Sequence, residues 1–132
     1  MKKTTLLNSG ISAIVSDMGH TDTLTLGDCG LPVPDCVEKI DLAVRLGLPR
    51  FLDVLDAVLS ELCVERIVLA EEIKTASPDM EREILKRFGD GVRVEYVPHE
   101  AFKEMTADSK AVVRTGECTP YANVILGSGV TF

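Results

Sequence analysis

Apolar positions along the chain switch repeatedly between a helical and a strand period. Ile11, Ile14, Val15 and Met18 fall at i, i+3, i+4 and i+7, one face of a helix that Asn8 or Ser9 can cap and Gly19 can stop. Thr23 to Gly27 alternates and is rich in Thr and Leu, which predicts a short strand. The next stretch, Asp28 to Pro34, is punctuated by Gly30, Pro32 and Pro34 and predicts a rigid loop. Residues 38–42 predict a further short strand. Phe51, Val54, Leu55, Val58, Leu59 and Leu62 make the clearest helical stripe, and the apolar run Val64 to Ala70 follows at once as a buried strand. Ser77-Pro78 places a capping residue before a proline at the first helical position, and Met80, Ile84 and Phe88 carry that helix to Gly89. Val92, Val94 and Tyr96 alternate as a strand, and residues 100–107 predict a short helix. Final strands are expected at residues 111–113 and 123–126, around a loop at 116–122.

Helices that alternate with strands predict a single-domain, three-layer α/β/α sandwich with a largely parallel sheet over residues 1–132. The length suits one domain with a real core, and 45% hydrophobic residues exclude disorder. Charge narrows the partners. With 14 Lys and Arg against 21 Asp and Glu, the net charge is −7, which argues against a nucleic-acid surface. Charged residues interrupt every apolar run well short of 18 residues, so no membrane insertion is expected, and the run that stops at Asn8 is too short for a signal peptide. Cys29, Cys36, Cys63 and Cys118 form no C-x-x-C pair and are read as cytosolic thiols that mostly pack.

In open α/β sheets ligands bind beyond the carboxyl ends of the strands. By that rule the candidates are Asp28, Glu71-Glu72 with Lys74, His99 and Arg114. Each alone is more often a turn or cap residue; together they form acid–base material on one edge. His20 and His99 are the residues suited to moving a proton near neutral pH. Two histidines without a well-spaced third ligand make a weak case for zinc, and no metal is expected. There is no P-loop, no dinucleotide fingerprint and no G-x-S-x-G, which leaves proton transfer on a small polar ligand, or no chemistry. One tension is visible: His20 precedes the first strand and His99 follows a later one. In one subunit they tend to opposite edges of the sheet. Either a loop folds over, or the two meet across a subunit boundary.

Gly19-His20-Thr21-Asp22-Thr23, followed by Gly27-Asp28-Cys29-Gly30-Leu31-Pro32-Val33-Pro34, resembles the D-ribose pyranase family. So do Lys2 to Ser9, Ala70-Glu71-Glu72-Ile73-Lys74, and the run from Arg114 through Tyr121-Ala122-Asn123 to Gly129-Val130-Thr131-Phe132. The related L-fucose mutarotases share the early Gly-His and the Arg-Thr-Gly-Glu block, whereas the Leu-Pro-Val-Pro segment and the ending look more like the ribose branch. The stretch from Pro78 to Gly91 matches least.

The resemblance implies an isomerase that interconverts the pyranose and furanose forms of D-ribose and supplies the form that ribokinase phosphorylates. It implies a cytoplasmic enzyme without cofactors, assembled as a homo-oligomer, typically a decamer of two pentamers. It places the proton donor on His20 and sugar binding on Asp28, His99, Tyr121 and Asn123. Those residue types suit the reaction. A base takes the anomeric hydroxyl proton while an acid protonates the ring oxygen, and the opened sugar recloses through another hydroxyl. Asp28 and Asn123 offer acceptors and donors for hydroxyls, and Tyr121 a ring face with a polar tip. Arg114 and Glu117 are expected as structural ion-pair partners. The apolar ending, Val130-Thr131-Phe132, suggests docking into a groove on a neighbour. The alternatives are a mutarotase for another sugar such as L-fucose, or a non-catalytic ribose-binding accessory protein.

Overall fold

The computed structural model describes residues 1–132. Six strands form one sheet: β1 (Thr23–Gly27), β2 (Glu38–Asp41), β3 (Val64–Ala70), β4 (Arg93–Val97), β5 (Ala111–Arg114) and β6 (Val124–Ser128). Their spatial order is β2-β5-β1-β6-β3-β4. The β1–β5, β2–β5 and β3–β4 pairs are parallel, while β6 lies antiparallel to both of its neighbours, β1 and β3. Five strands therefore point one way and one inner strand points the other. The largely parallel sheet expected from the sequence is present.

Alternation along the strands sorts the side chains onto two faces. Leu24, Leu26, Ile67, Leu69, Val113 and Leu126 join a core of 18 buried residues on one face. That face is covered by α1 (Ser9–Asp17), α2 (Phe51–Leu59), α3 (Ile73–Ala76) and α4 (Pro78–Leu85), which contribute Ile11, Phe51, Leu55, Ile73 and Ile84. Val68, Val112 and Ile125 point the other way. They meet Leu31, Val37 and Phe102 in a second core of 6 buried residues under α5 (His99–Met105). The sandwich is thus three-layered but unequal, with four helices on one face and α5 with a loop on the other.

Element boundaries differ from the sequence pattern where a distant contact takes over. Asn8, not Ser9, caps α1, its Oδ1 accepting from the Ile11 N–H at 2.9 Å. That helix stops at Asp17 without a left-handed glycine, because Met18 turns extended. The Gly19 N–H then donates to the Asp22 carboxylate at 2.9 Å, and the left-handed residue is Thr21, at φ 71°. Ser77 makes no cap for α4; its hydroxyl donates instead to the Pro120 carbonyl at 2.7 Å. The last turn before Gly89 tightens into i→i+3 bonds at Arg87 and Phe88, so α4 ends at Leu85. No helix is long and apolar enough to cross a membrane, and all four cysteines are free thiols.

The loop before α2 is fastened to the loop after β5. The Gly47 N–H donates to the Gly116 carbonyl at 2.6 Å, and the Gly116 N–H to the Pro49 carbonyl at 2.9 Å. A Cβ on Gly116 would overlap the Leu48 backbone, which has no side-chain freedom with which to yield. Gly116→Ala is therefore expected to destabilise the fold by about 1–3 kcal/mol through overpacking, read as a lower urea midpoint with an unchanged slope. A midpoint equal to wild type would show that the two loops are not fastened.

Candidate active site

The reversal of β6 decides which residues meet. Five strands end at one edge of the sheet, and β6 begins there. Asp28 leaves β1, Glu71 and Glu72 leave β3, His99 follows β4, and Tyr121 and Asn123 lead into β6. The four residues expected to hold a sugar are thus on one edge, carried by the neighbouring strands β1, β6, β3 and β4.

Asp28 and Asn123 bond reciprocally. The Asp28 N–H donates to Asn123 Oδ1 at 2.8 Å, and Asn123 Nδ2 donates to Asp28 Oδ2 at 3.0 Å. Asp28 Oδ1 also accepts from the Gly30 N–H at 2.9 Å, closing the turn after β1. Asn123 is fully buried, whereas Asp28 is half-buried. Gly27 permits this approach, since a Cβ there would press on Leu31 and on Asn123 Oδ1. The Asn123 N–H closes back on the Tyr121 carbonyl at 2.8 Å, and Tyr121 sits left-handed at φ 61°. Such a conformation costs a tyrosine on the order of 1–3 kcal/mol and persists only where its surroundings fix it.

His99 is the first residue of α5, not a loop residue. Its ring meets Tyr121 edge-on at 5.0 Å between centroids and stacks on Phe102, the buried floor, at 6.2 Å. His99 Nδ1 is buried and has no hydrogen-bond partner, a costly arrangement for an imidazole. The helix start is held by Glu72, whose two carboxylate oxygens accept from the His99 N–H at 3.1 and 3.0 Å. Bonds from its own N–H and from that of His99 hold the Glu72 carboxyl below its ordinary range.

His20 stands at the opposite edge. It precedes β1, whose five residues span about 17 Å at ~3.4 Å per residue. Its Nε2 lies 3.0 Å from Glu65 Oε1 at the start of β3, and its side chain is 51% exposed. Beside the pair, a polar cleft of about 500 Å³ is lined by Thr21, Glu65, Arg66, Arg93 and Ser128, with glycines between them. Within one chain the two histidines therefore stay at opposite edges of the sheet, and no loop folds over to join them.

The sequence reading missed the role of Glu117. It is not an ion-pair partner but a cap and loop organiser, whereas Arg114 does pair, with Asp41 at 3.0 Å. Glu117 Oε2 accepts from the Phe51 N–H at 3.1 Å, at the start of α2. Its Oε1 accepts from the Cys118 and Thr119 N–H groups, each at 3.1 Å, and from the Thr119 hydroxyl at 2.8 Å. Its carbonyl accepts from the Cys29 N–H at 2.9 Å. One residue thus ties α2, the Asp28 loop and the Tyr121 loop together. The available signal was indirect: Arg50 and Pro98, which precede α2 and α5, are not capping residues.

Burial works to raise the Glu117 carboxyl, but bonds from Thr119, Phe51 and Cys118 outweigh it and leave the group below the ordinary carboxylate range. A lowered folded value means stability that is present above the unfolded value, about 4.3 for Glu, and is lost as pH falls through the folded one. Glu117→Gln would keep one acceptor oxygen for Thr119 and Cys118 but turn an N–H group toward the Phe51 N–H. The expected loss is about 1–3 kcal/mol, the usual penalty for a buried donor left unpaired. In denaturant melts the gap from wild type should be largest at neutral pH and narrow on acidification below about pH 4. A gap that stays constant with pH would contradict the assigned role of the charge.

Comparison with known proteins places these features in a family. The model of the RbsD / FucU transport protein family matches residues 1–131. A protein of Geobacillus thermodenitrificans named D-ribose pyranase is 56% identical over 132 residues, covering 100% of this chain and 99% of its own. One of Streptococcus uberis with the same name is 54% identical over 131 residues, 99% of each chain. Among solved structures, Bacillus subtilis RbsD complexed with D-ribose matches with a TM-score of 0.95 and 47% identity over 100% of both chains. A Streptococcus pneumoniae fucose mutarotase in complex with L-fucose shares the fold, with a TM-score of 0.80 at 23% identity over 100% of both chains. The chain belongs to the RbsD / FucU transport protein family.

Proposed function

We propose that the protein is an isomerase that speeds the interconversion of the pyranose and furanose forms of D-ribose by proton transfer alone, in the cytoplasm. The observation that carries this reading is the gathering of Asp28, His99, Tyr121 and Asn123 at one sheet edge, in a chain 47% identical to a structure described as complexed with D-ribose. The half-buried Asp28 carboxylate accepts from sugar hydroxyls while Asn123, spent on that carboxylate, holds it in place. Tyr121 offers its ring to a sugar face. His99, packed against Tyr121 and Phe102, stands beside them as a further sugar-binding residue.

His20 is the proton carrier in this reading. Glu65 binds its Nε2, so Nδ1 is the nitrogen that works on the ring oxygen. Because β1 separates His20 from Asp28 within one chain, the site is completed by a second copy, whose His20 edge docks on the sugar edge of the first. That arrangement fits a homo-oligomer, and a decamer of two pentamers is the assembly the family resemblance implies. The exposed apolar residues Val44, Leu46, Leu48, Val130 and Phe132 suit such burial between copies.

Saturation transfer between the pyranose and furanose anomeric proton signals of D-ribose tests the activity. Strong transfer is expected with catalytic protein and a loss of about 10²–10⁴-fold in His20→Ala, the range of general acid–base assistance. Transfer on L-fucose alone would move the chain to the mutarotase branch, and line broadening without transfer would make it a binding protein. The shared site has its own check. His20→Ala and Asp28→Asn, each inactive, should regain exchange when their subunits are mixed. No recovery in verified mixed assemblies would place the whole site in one chain.

A further inference from the structure

Two thiols flank the sugar edge and have no part in the proposed reaction. Cys29 follows Asp28 directly, and Cys118 lies in the Glu117 loop ahead of Tyr121. The Cys29 N–H donates to the Glu117 carbonyl at 2.9 Å, and Cys118 is the next residue along. One hydrogen bond and one peptide unit therefore separate the two backbones. Standard bond lengths put their Cα atoms roughly 5–7 Å apart, against the 4.4–6.8 Å that a disulfide spans. Burial, the Cys118 thiol and the Asp28 carboxylate push the Cys29 thiol up. Neighbouring bonds fix both partners. Arg114 Nε donates to the Cys29 carbonyl at 3.0 Å, and the Cys118 thiol to the Gly116 carbonyl at 3.5 Å. Cys118 is exposed and Cys29 only partly so, so a dissolved oxidant reaches Cys118 first.

We propose that Cys29 and Cys118 form a reversible dithiol–disulfide site at which a peroxide-class oxidant links the Asp28 loop to the Tyr121 loop. The Cys118 thiolate attacks one peroxide oxygen, breaks the O–O bond, and leaves a sulfenic acid and hydroxide. The Cys29 sulfur then attacks Cys118 Sγ, the S–O bond breaks, and water departs with the Cys29 proton. Overall, two thiols and one hydrogen peroxide give one disulfide and two waters. Cys29 is the resolving partner because it is the more sheltered of the two. Reducing conditions hold the pair open, consistent with a thiol state in the cytoplasm. Cys36 and Cys63 are not involved; the Cys63 thiol donates elsewhere, to the Val130 carbonyl at 3.3 Å.

The test is thiol chemistry on the full-length protein, so it stands or falls apart from the sugar reaction. Reduced protein is exposed to stoichiometric hydrogen peroxide, free thiols are blocked with N-ethylmaleimide, and digests are mapped by mass spectrometry. The expected result is a peptide pair linked through Cys29 and Cys118 with loss of two hydrogens, with Cys36 and Cys63 still alkylated and full recovery in dithiothreitol. In Cys29→Ser the link should vanish and Cys118 should stop as a sulfenic acid trapped by dimedone. Retention of all four alkylated thiols would overturn the proposal. So would a Cys118 sulfenic or sulfinic acid in wild type without the link, or bridges between subunits in its place.

Discussion

The candidate site depends on one strand that runs against the other five. β6 sits between β1 and β3 with all five of its residues buried. Three of them, Val124, Ile125 and Leu126, are apolar and pack into both cores, each worth about 1.5–3 kcal/mol when buried. That burial fixes the register, because a slip by one residue would exchange the two faces. With register fixed, Asn123 must stand beside the end of β1. The reciprocal Asp28–Asn123 bonds follow from the topology, since a parallel strand in the same slot would begin at the far edge. The reversal converts an edge made only of strand ends into one that also receives the loop carrying Tyr121.

Two carboxylates give that edge its rigidity. Neither α2 nor α5 begins with a residue able to cap it, and uncapped N–H groups at a buried helix start are costly. Glu117 serves α2 and Glu72 serves α5, each from a loop that follows or precedes a strand at this edge. A local cap would stabilise the helix alone. A distant one also fixes the loop it comes from, so the helix N-terminus, with its partial positive charge, and the loop hold each other. This explains how Tyr121 can be kept at a positive φ: Glu117 and Ser77 anchor the residues just ahead of it through Thr119 and Pro120, and Asn123 anchors those just after.

Much of this was legible in the sequence, for definite reasons. The α2 stripe and the β3 run are long and strongly patterned, so hydrophobic period alone located them. The cap of α1 was narrowed locally to Asn8 or Ser9, and Asn8 makes the bond. The direction of β6 was not legible, because a buried strand reads the same in either sense. Ser77 looked like a cap but bonds to Pro120, and Glu117 looked like an ion-pair partner but binds N–H groups. Both errors have one origin: local chemistry was assigned to side chains whose partners are remote in sequence. The gathering of Asp28, His99, Tyr121 and Asn123 was foreshadowed by the strand-end rule only for the first two. The other two entered by resemblance to a family.

The separation of His20 from that edge is a consequence of strand geometry and not of loop choice. β1 is hydrogen-bonded on both sides, to β5 and β6, so the span between His20 and Asp28 cannot shorten without breaking the sheet. Thr21, strained at φ 71°, is tied by its N–H to the Ser128 carbonyl at 3.0 Å, and His20 is tied to Glu65 on β3. At each edge of the sheet, therefore, a strained non-glycine residue stands near a candidate functional group, Thr21 ahead of β1 and Tyr121 ahead of β6. Such conformations persist only where the surroundings fix them, so each edge is organised separately. A reaction that needs both ends is then tied to association, because the chain has no internal motion that could bring them together.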